Sequence, residues 1–373
     1  VYKRQTFSRD QVDLDYRTPA VLLSVLDALL TYASHGADVI RLDAVGFLWK
    51  DESTSSIHLP QTHRIVQFLR ACVETAYPRV LLITETNVPH EENISYFGTD
   101  GRAEAHAVYQ FPLPPLTLDA MTRGDATTLH RWLDSMAPPM ADTTFLNFLA
   151  SHDGVGLRPL EGLVDAGEVA TLVAQTEANG GFVNRRTTSD GASIPYELNA
   201  TWYDLVRGST TGAEAMSRHL ASHAIMLAVR GIPALYVHGL LAAGNDTAAV
   251  AATGQPRSIN RRRFTAMADL EQRLADPTTR TAQSLAGISD QIRWRTSSPA
   301  FHPDADQEIL ATPPSVLGIE RGAGSSRARV YVNVGRSPVS VTDPEAARAE
   351  GHNISRAAGS LRLGPWGDAW VIE

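Results

Sequence analysis

From Thr18 onward the apolar positions recur at helical spacing, with Val21, Leu22, Val25, Leu26, Leu29 and Leu30 on one face, Pro19 suited to the first turn, Thr18 placed to cap and Gly36 just beyond. The period then changes. Val39, Ile40 and Leu42 form a short run that ends at Asp43, and after a loop Ile65, Phe68, Leu69, Cys72, Val73 and Ala76 restore the helical spacing up to Pro78. A second apolar run, Val80 to Ile83, follows and ends at Glu85. Runs this short and this apolar predict parallel strands buried on both faces. The same alternation returns at Ala107 to Phe111, at Phe145 to Leu149 and at Ile232 to Val237, the last after a helical stretch from Met216 to Ala228.

Strand candidates that alternate with helices predict a βα series, and the polar residues gather just after the strands: Asp43, Glu85, His152-Asp153-Gly154 and, further on, Asn245-Asp246. In a (β/α)8 barrel that end of the strands carries the chemistry. Residues 154–212 are too long for an ordinary βα loop and rich in Gly, Asn, Thr and Arg, so they are expected to form a subdomain inserted after a barrel strand. From about Phe301 the pattern becomes one of short strands, at Val316 to Glu320, Ala328 to Val334, Val339 to Thr342 and Trp370 to Ile372, parted by turn segments such as GAGSS. The expected organisation is a catalytic α/β barrel region over 6–300 and a small C-terminal β domain over 301–373.

Composition narrows the function. The 373 residues hold 33 Lys+Arg against 41 Asp+Glu, a formal net charge of -8, which argues against nucleic acid or an anionic membrane as partner. Hydrophobic residues are 43% of the chain and charged residues 20%, enough for a large core. Cys72 is the single cysteine, so no intrachain disulfide or cysteine-based zinc cluster exists, and a reducing, cytoplasmic setting is expected. Its place on the apolar stripe predicts a buried core thiol. No apolar run approaches the roughly 20 residues of a membrane span, VLLSVLDALL being broken by Asp27. No signal-peptide pattern is visible near Val1.

Asp43 in IRLDA, Glu85 in ITETN and Asp153 in ASHDG stand at or just after the ends of three strands. Retaining cleavage of a glycoside needs one carboxylate to attack the anomeric carbon and a second, protonated one to assist the leaving oxygen, with the two about 5 to 5.5 Å apart. Each acid taken alone has an ordinary reading, as a helix cap or part of a turn. Three at successive strand ends, two of them flanked by Arg41 and His152, favour catalysis.

IRLDA, ITETN and ASHDG, in that order, resemble the catalytic regions of the α-amylase superfamily, glycoside hydrolase family thirteen. DQVDLDYRTP, RLDAVGFLWK, TETNVPHEENISYFG, NFLASHDGVGLRP, PYELNATWYD, GIPALYVHGLLAAGND and RSINRRRF are similar to its sucrose phosphorylase subfamily, in the branch of glucosylglycerate and sucrose 6-phosphate phosphorylases. The likeness extends over nearly everything from Thr6 onward. It implies Asp43 as nucleophile, Glu85 as general acid/base and Asp153 as transition-state stabiliser. Arg41 would bond the nucleophile and a sugar hydroxyl, and His152 would donate to a hydroxyl, its ordinary reading being a satisfied core histidine. Inorganic phosphate would attack the glucosyl ester on Asp43 with retention and release α-glucose 1-phosphate. Cationic candidates for that anion are Arg158, Arg257 and Arg261 to Arg263, although the run of three also reads as a solvated helix face, and Asn87 and His90 are candidates on the acceptor side. The partners implied are an α-glucoside and inorganic phosphate, with no metal or cofactor, and the oligomeric state is left open.

The family's first catalytic region, a strand ending in Asn-His, has no counterpart, because no Asn-His pair occurs. A TIM barrel lacking its first strands is therefore expected, with residues 1–5, VYKRQ, a non-native remnant. Such a chain is expected to be poorly folded and inactive on its own. Two rival functions use the same residues. One is an α-glucosidase or transglucosidase with water or a sugar as acceptor, and the other is an inactive sugar-binding barrel.

Overall fold

The computed structural model describes residues 4, 6–7, 11–99, 101–137, 139–188, 191–324 and 326–373. Apart from Arg4, the expected remnant 1–5 lies outside the described residues, as do Asp10 of DQVDLDYRTP and Ser325 of GAGSS. Two compact units divide the chain, one of residues 1–109 with 139–145 and one of residues 110–138 with 146–373.

The first unit is built from βα repeats. Pro19 opens the helix Pro19–Ser34, and Gly36, at φ +90, ends it. Thr18 makes no side-chain cap; its carbonyl accepts the Val21 N–H at 3.0 Å. The helix Pro60–Ala76 stops where Pro78 disfavours helical Tyr77. Strands Val39–Leu42 and Leu81–Thr84 pair in parallel, Val39 against Leu81 and Leu42 against Thr84, and Ala107–Tyr109 continues the sheet from Ile83. Thr144 N–H then donates to His106. Leu29, Ala33, Ile40, Ile65, Leu69, Val73 and Leu82 form the core between helices and sheet.

Two expectations need correction here. The strands Val39–Leu42 and Leu81–Thr84 are not buried on both faces: Ile40 and Leu82 are buried, but Val39 and Leu81 remain 47% and 38% exposed. Side chains alternate across a strand, and the two helices cover only the Ile40 and Leu82 face. Cys72 is only partly buried and Phe68 is exposed, because the covered face of Pro60–Ala76 runs through Thr62, Ile65, Val66, Leu69, Arg70 and Val73.

In the second unit Leu146–Asn147, the end of the strand Thr144–Asn147, pairs in parallel with Ile232–Pro233. The expected strand over Ile232 to Val237 is shorter, since Val237 begins the helix Val237–Leu240, although Ala234 N–H still donates to Asn147 at 2.7 Å. Helices Leu113–Arg123, Gly212–Ala228 and Arg280–Thr296 supply much of the core. Between 154 and 212 lie the antiparallel strands Val155–Gly156, Ser193–Asn199 and Phe182–Thr187 and the helix Ala166–Ala178, whose start is fixed by a reciprocal Asp165 and Glu168 capping box. From Gln307 to Ile372 six antiparallel strands form the C-terminal β domain. Its buried Arg321 donates to the carbonyls of Ala228 and His302. Among the described residues no helix is long and apolar enough to cross a membrane.

Candidate active site

In the first unit the register sets the chemistry. Leu42 faces Thr84, so Asp43 and Glu85 follow matched strand ends, and Glu85 N–H donates to Leu42 at 3.0 Å. Arg41, two residues before Asp43, projects to the same side of its strand. Its Nη2 lies 2.7 Å from Asp43 Oδ1 and 3.9 Å from Glu85 Oε2, so one guanidinium links both acids. The guanidinium also sits 5.5 Å over the Tyr109 ring, whose hydroxyl burial pushes above its ordinary pKa. The carboxylates differ in setting: Asp43 is 70% exposed and Glu85 only 16%. Ala44, left-handed at φ +48, turns its N–H to Glu85 Oε2 at 3.0 Å. A non-glycine residue in that conformation stores strain, and here the strain aims a donor at a candidate acid.

Asn87 and His90 lie on the stretch after Glu85. Asn87 Oδ1 is buried without a hydrogen-bond partner, and His90 opens the helix His90–Ile94 with its ring 5.9 Å from that of Phe145.

In the second unit Asp153 is held by cations. Arg257 Nη1 lies 2.7 Å from its Oδ1, Arg261 Nη2 3.2 Å from the same oxygen, and His152 Nε2 3.5 Å from Oδ2. Arg261 Nε and Asn260 Nδ2 donate to the carbonyls of His152 and Asp153, clamping the turn. His152 is exposed, which excludes the satisfied core histidine. Arg257 makes a second, two-pronged pair with Glu197, Nε to Oε2 at 3.2 Å and Nη2 to Oε1 at 2.8 Å. Burial works against the Arg257 charge, but the Glu197 hydrogen bonds and the charges of Glu197 and Asp153 outweigh it and raise its pKa. Glu197 is buried and also accepts from Asn184 Nδ2 and Gly154 N–H.

The arginine run splits: Arg261 turns to Asp153, Arg262 to Asp246 at 3.5 Å, and Arg263 is exposed. Arg158 lies on the short helix Arg158–Leu160. Sequence reasoning marked the PYELN segment without marking Glu197, and it missed Asn260 and the Ala44 N–H. Only the segment's likeness could have pointed to the buried glutamate.

Residues 1–157 match the α-amylase catalytic domain. The chain is 46% identical over 375 residues to a glucosylglycerate phosphorylase of Allomeiothermus silvanus, covering 99% of this chain and 65% of that protein. With a glucosylglycerate phosphorylase of Escherichia coli it shares 40% over 370 residues, covering 98% of this chain and 66% of the relative. The chain thus spans just under two thirds of the length of these relatives. Among solved structures, the sucrose 6F-phosphate phosphorylase of Thermoanaerobacter thermosaccharolyticum superimposes with a TM-score of 0.75 at 22% identity, over 88% of this chain and 63% of that one.

The fold is that of the α-amylase (β/α)8 enzymes with a C-terminal antiparallel β domain, and the chain is similar over nearly its whole length to the sucrose phosphorylase subfamily of the α-amylase superfamily. Within that subfamily it is similar to the glucosylglycerate phosphorylases.

Proposed function

We propose that this protein is a retaining α-glucoside phosphorylase that moves glucosyl from glucosylglycerate or sucrose to inorganic phosphate. The observation that carries the reading is the Arg41 guanidinium between two unlike carboxylates, open Asp43 and enclosed Glu85. In the first displacement Glu85 gives its proton to the leaving oxygen as Asp43 attacks the anomeric carbon, forming a glucosyl ester. Arg41, paired with Asp43 at 2.7 Å, holds that carboxylate aligned. In the second, phosphate oxygen attacks that carbon, the ester bond breaks, Asp43 leaves as carboxylate, and Glu85 takes the proton from the incoming phosphate. Two inversions leave the α configuration of glucose 1-phosphate. Asp153 serves as transition-state stabiliser, with His152, Asn87 and His90 as hydroxyl partners and Arg261 or Arg158 as phosphate ligand. Arg257 is already matched by Glu197 and Asp153 and acts through Asp153.

The names of the two relatives put glucosylglycerate first among donors. The single cysteine supports a reducing, cytoplasmic setting. The test is turnover of glucosylglycerate and of sucrose with and without phosphate. Glucose 1-phosphate that forms only with phosphate is expected. Free glucose released at the same rate without phosphate would assign the site to hydrolysis instead.

A further inference from the structure

A cavity of about 280 Å³ in the second unit is lined by Thr122, Arg123, Arg218, Ser315, Arg336 and Ser337, and by none of the residues around Asp153. Arg218, on the helix Gly212–Ala228, is 3% exposed and stacks on the Trp366 ring at 5.1 Å. Its hydrogen bonds go to the carbonyls of Val206 and Met121 and not to a carboxylate. Glu214, on its own helix, acts on it only at longer range. A desolvated cation with so little compensation is costly unless something negative joins it. Arg336, exposed in the turn before Pro338, makes no ion pair or hydrogen bond among the described residues, and its charge works against that of Arg218. Arg123 differs, since Asp119 and Glu168 already pair with it. Thr122 Oγ1 is buried at the cavity without a hydrogen-bond partner.

Two arginines short of negative charge, a buried hydroxyl without a hydrogen-bond partner and two serines line the one cavity, a set that suits a compact, multiply charged oxyanion. We propose that this cavity binds a phosphate-class dianion, either inorganic phosphate or the phosphoryl group of a phosphorylated small molecule, with Arg218 and Arg336 as the cationic partners and Thr122 as a hydroxyl donor. The volume accommodates a phosphoryl group with a small substituent. The proposal rests on this cavity alone and stands whether or not the carboxylate site is a phosphorylase.

Equilibrium dialysis of the full chain against inorganic phosphate, glucose 1-phosphate and sulfate tests it, in the parent and in Arg336→Gln, Thr122→Val and Arg261→Gln. Arg336 is exposed and unpaired, so Arg336→Gln should keep the parent's melting temperature while weakening phosphate about tenfold or more at the cavity. Thr122→Val should weaken it severalfold. Arg261→Gln should leave this binding class intact. Tighter binding of glucose 1-phosphate than of phosphate would name a phosphorylated small molecule as the source, and equal or weaker binding would name free phosphate. Unchanged affinity and stoichiometry in Arg336→Gln, or loss of all phosphate binding in Arg261→Gln, would overturn the proposal.

Discussion

Glu197 shows how a single residue can govern a site it does not line. Its carboxylate is buried and spent on Arg257, Asn184 and the Gly154 N–H, and Arg257 passes that order to Asp153. Glu197→Gln should therefore cost about 1–3 kcal/mol of stability, the range for a broken charged hydrogen bond, tempered because Arg257 is partly open to water. Turnover should fall further than stability explains, about tenfold or more, with kcat affected and KM nearly unchanged. A melting curve and steady-state kinetics on one preparation check both. Nothing in the local sequence marks this acid, since it sits within a strand of an irregular stretch. By contrast Asp43, Glu85 and Asp153 are legible because an acid that ends an apolar run is conspicuous, and Arg41 because alternation along a strand puts it beside Asp43.

A second residue, His106, ties stability to pH. Its Nδ1 accepts the Leu82 N–H at 2.9 Å, and burial, aided by the Arg70 charge, pushes its pKa down to about 4. His223, buried with its Nδ1–H donated to His219, is likewise lowered to about 4 by burial. An unfolded histidine takes up a proton near pH 6.5, whereas these rings refuse it until about 4. Their contribution is therefore complete above pH 6.5 and is lost as pH falls from 6.5 towards 4, by about 2 kcal/mol for the partly buried His106. Urea denaturation across that window should show the decline, and His106→Asn should flatten part of it.

At the scale of elements, glycine separates packing from backbone freedom. A Cβ on Gly154 would meet Leu198 O at 2.5 Å and Glu197 Cγ at 2.7 Å, where Val155–Gly156 pairs with Ser193–Asn199. Gly154→Ala must push that strand away from the Asp153 turn, and should cost about 1–3 kcal/mol together with most of the activity. Gly162, at φ +80 with open space around it, is the control, and Gly162→Ala should cost only about 1 kcal/mol, with kinetics unchanged. Gly154 is not in the left-handed region, so similar activity losses in the two variants would show that its close approach to Glu197 and Leu198 is not what sustains activity. The βα repeats were legible from period alone, because each strand and helix carries its own apolar signature. Glu350–Ala357 was not, since EGHNISRA is polar and contains a bulge after His352, and its extended form comes from pairing with Ser360–Ile372. The close of Ile232–Pro233 was misplaced for a related reason: ALYV is as apolar in a helical turn as in a strand, and tertiary context chose the turn at Val237.

Across the whole molecule, apolar surface is distributed unevenly. Among the described residues, Leu23, Tyr32, Val39, Phe68 and Leu81 are among nine large hydrophobic side chains exposed in the first unit, which holds under a third of the chain, against four (Phe182, Ile232, Val237 and Met267) in the second. Single exposed apolar residues are ordinary, but Val39 and Leu81 are paired neighbours on adjoining strands and so form a contiguous patch. Val39–Leu42 also pairs on one side only among the described residues, leaving backbone groups along its other edge. A net charge of -8 opposes association at long range, but salt screens it while leaving the apolar attraction intact. The 373-residue chain in solution should therefore bind a hydrophobic dye such as anilinonaphthalene sulfonate in its native state and self-associate increasingly as salt rises. The double variant Val39→Thr, Leu81→Thr should reduce both effects at an unchanged melting temperature, because neither side chain belongs to the buried core. Dye fluorescence and light scattering across a salt series measure this, and a parent chain that stays monomeric and dark to the dye at high salt would mean that this face is covered in solution.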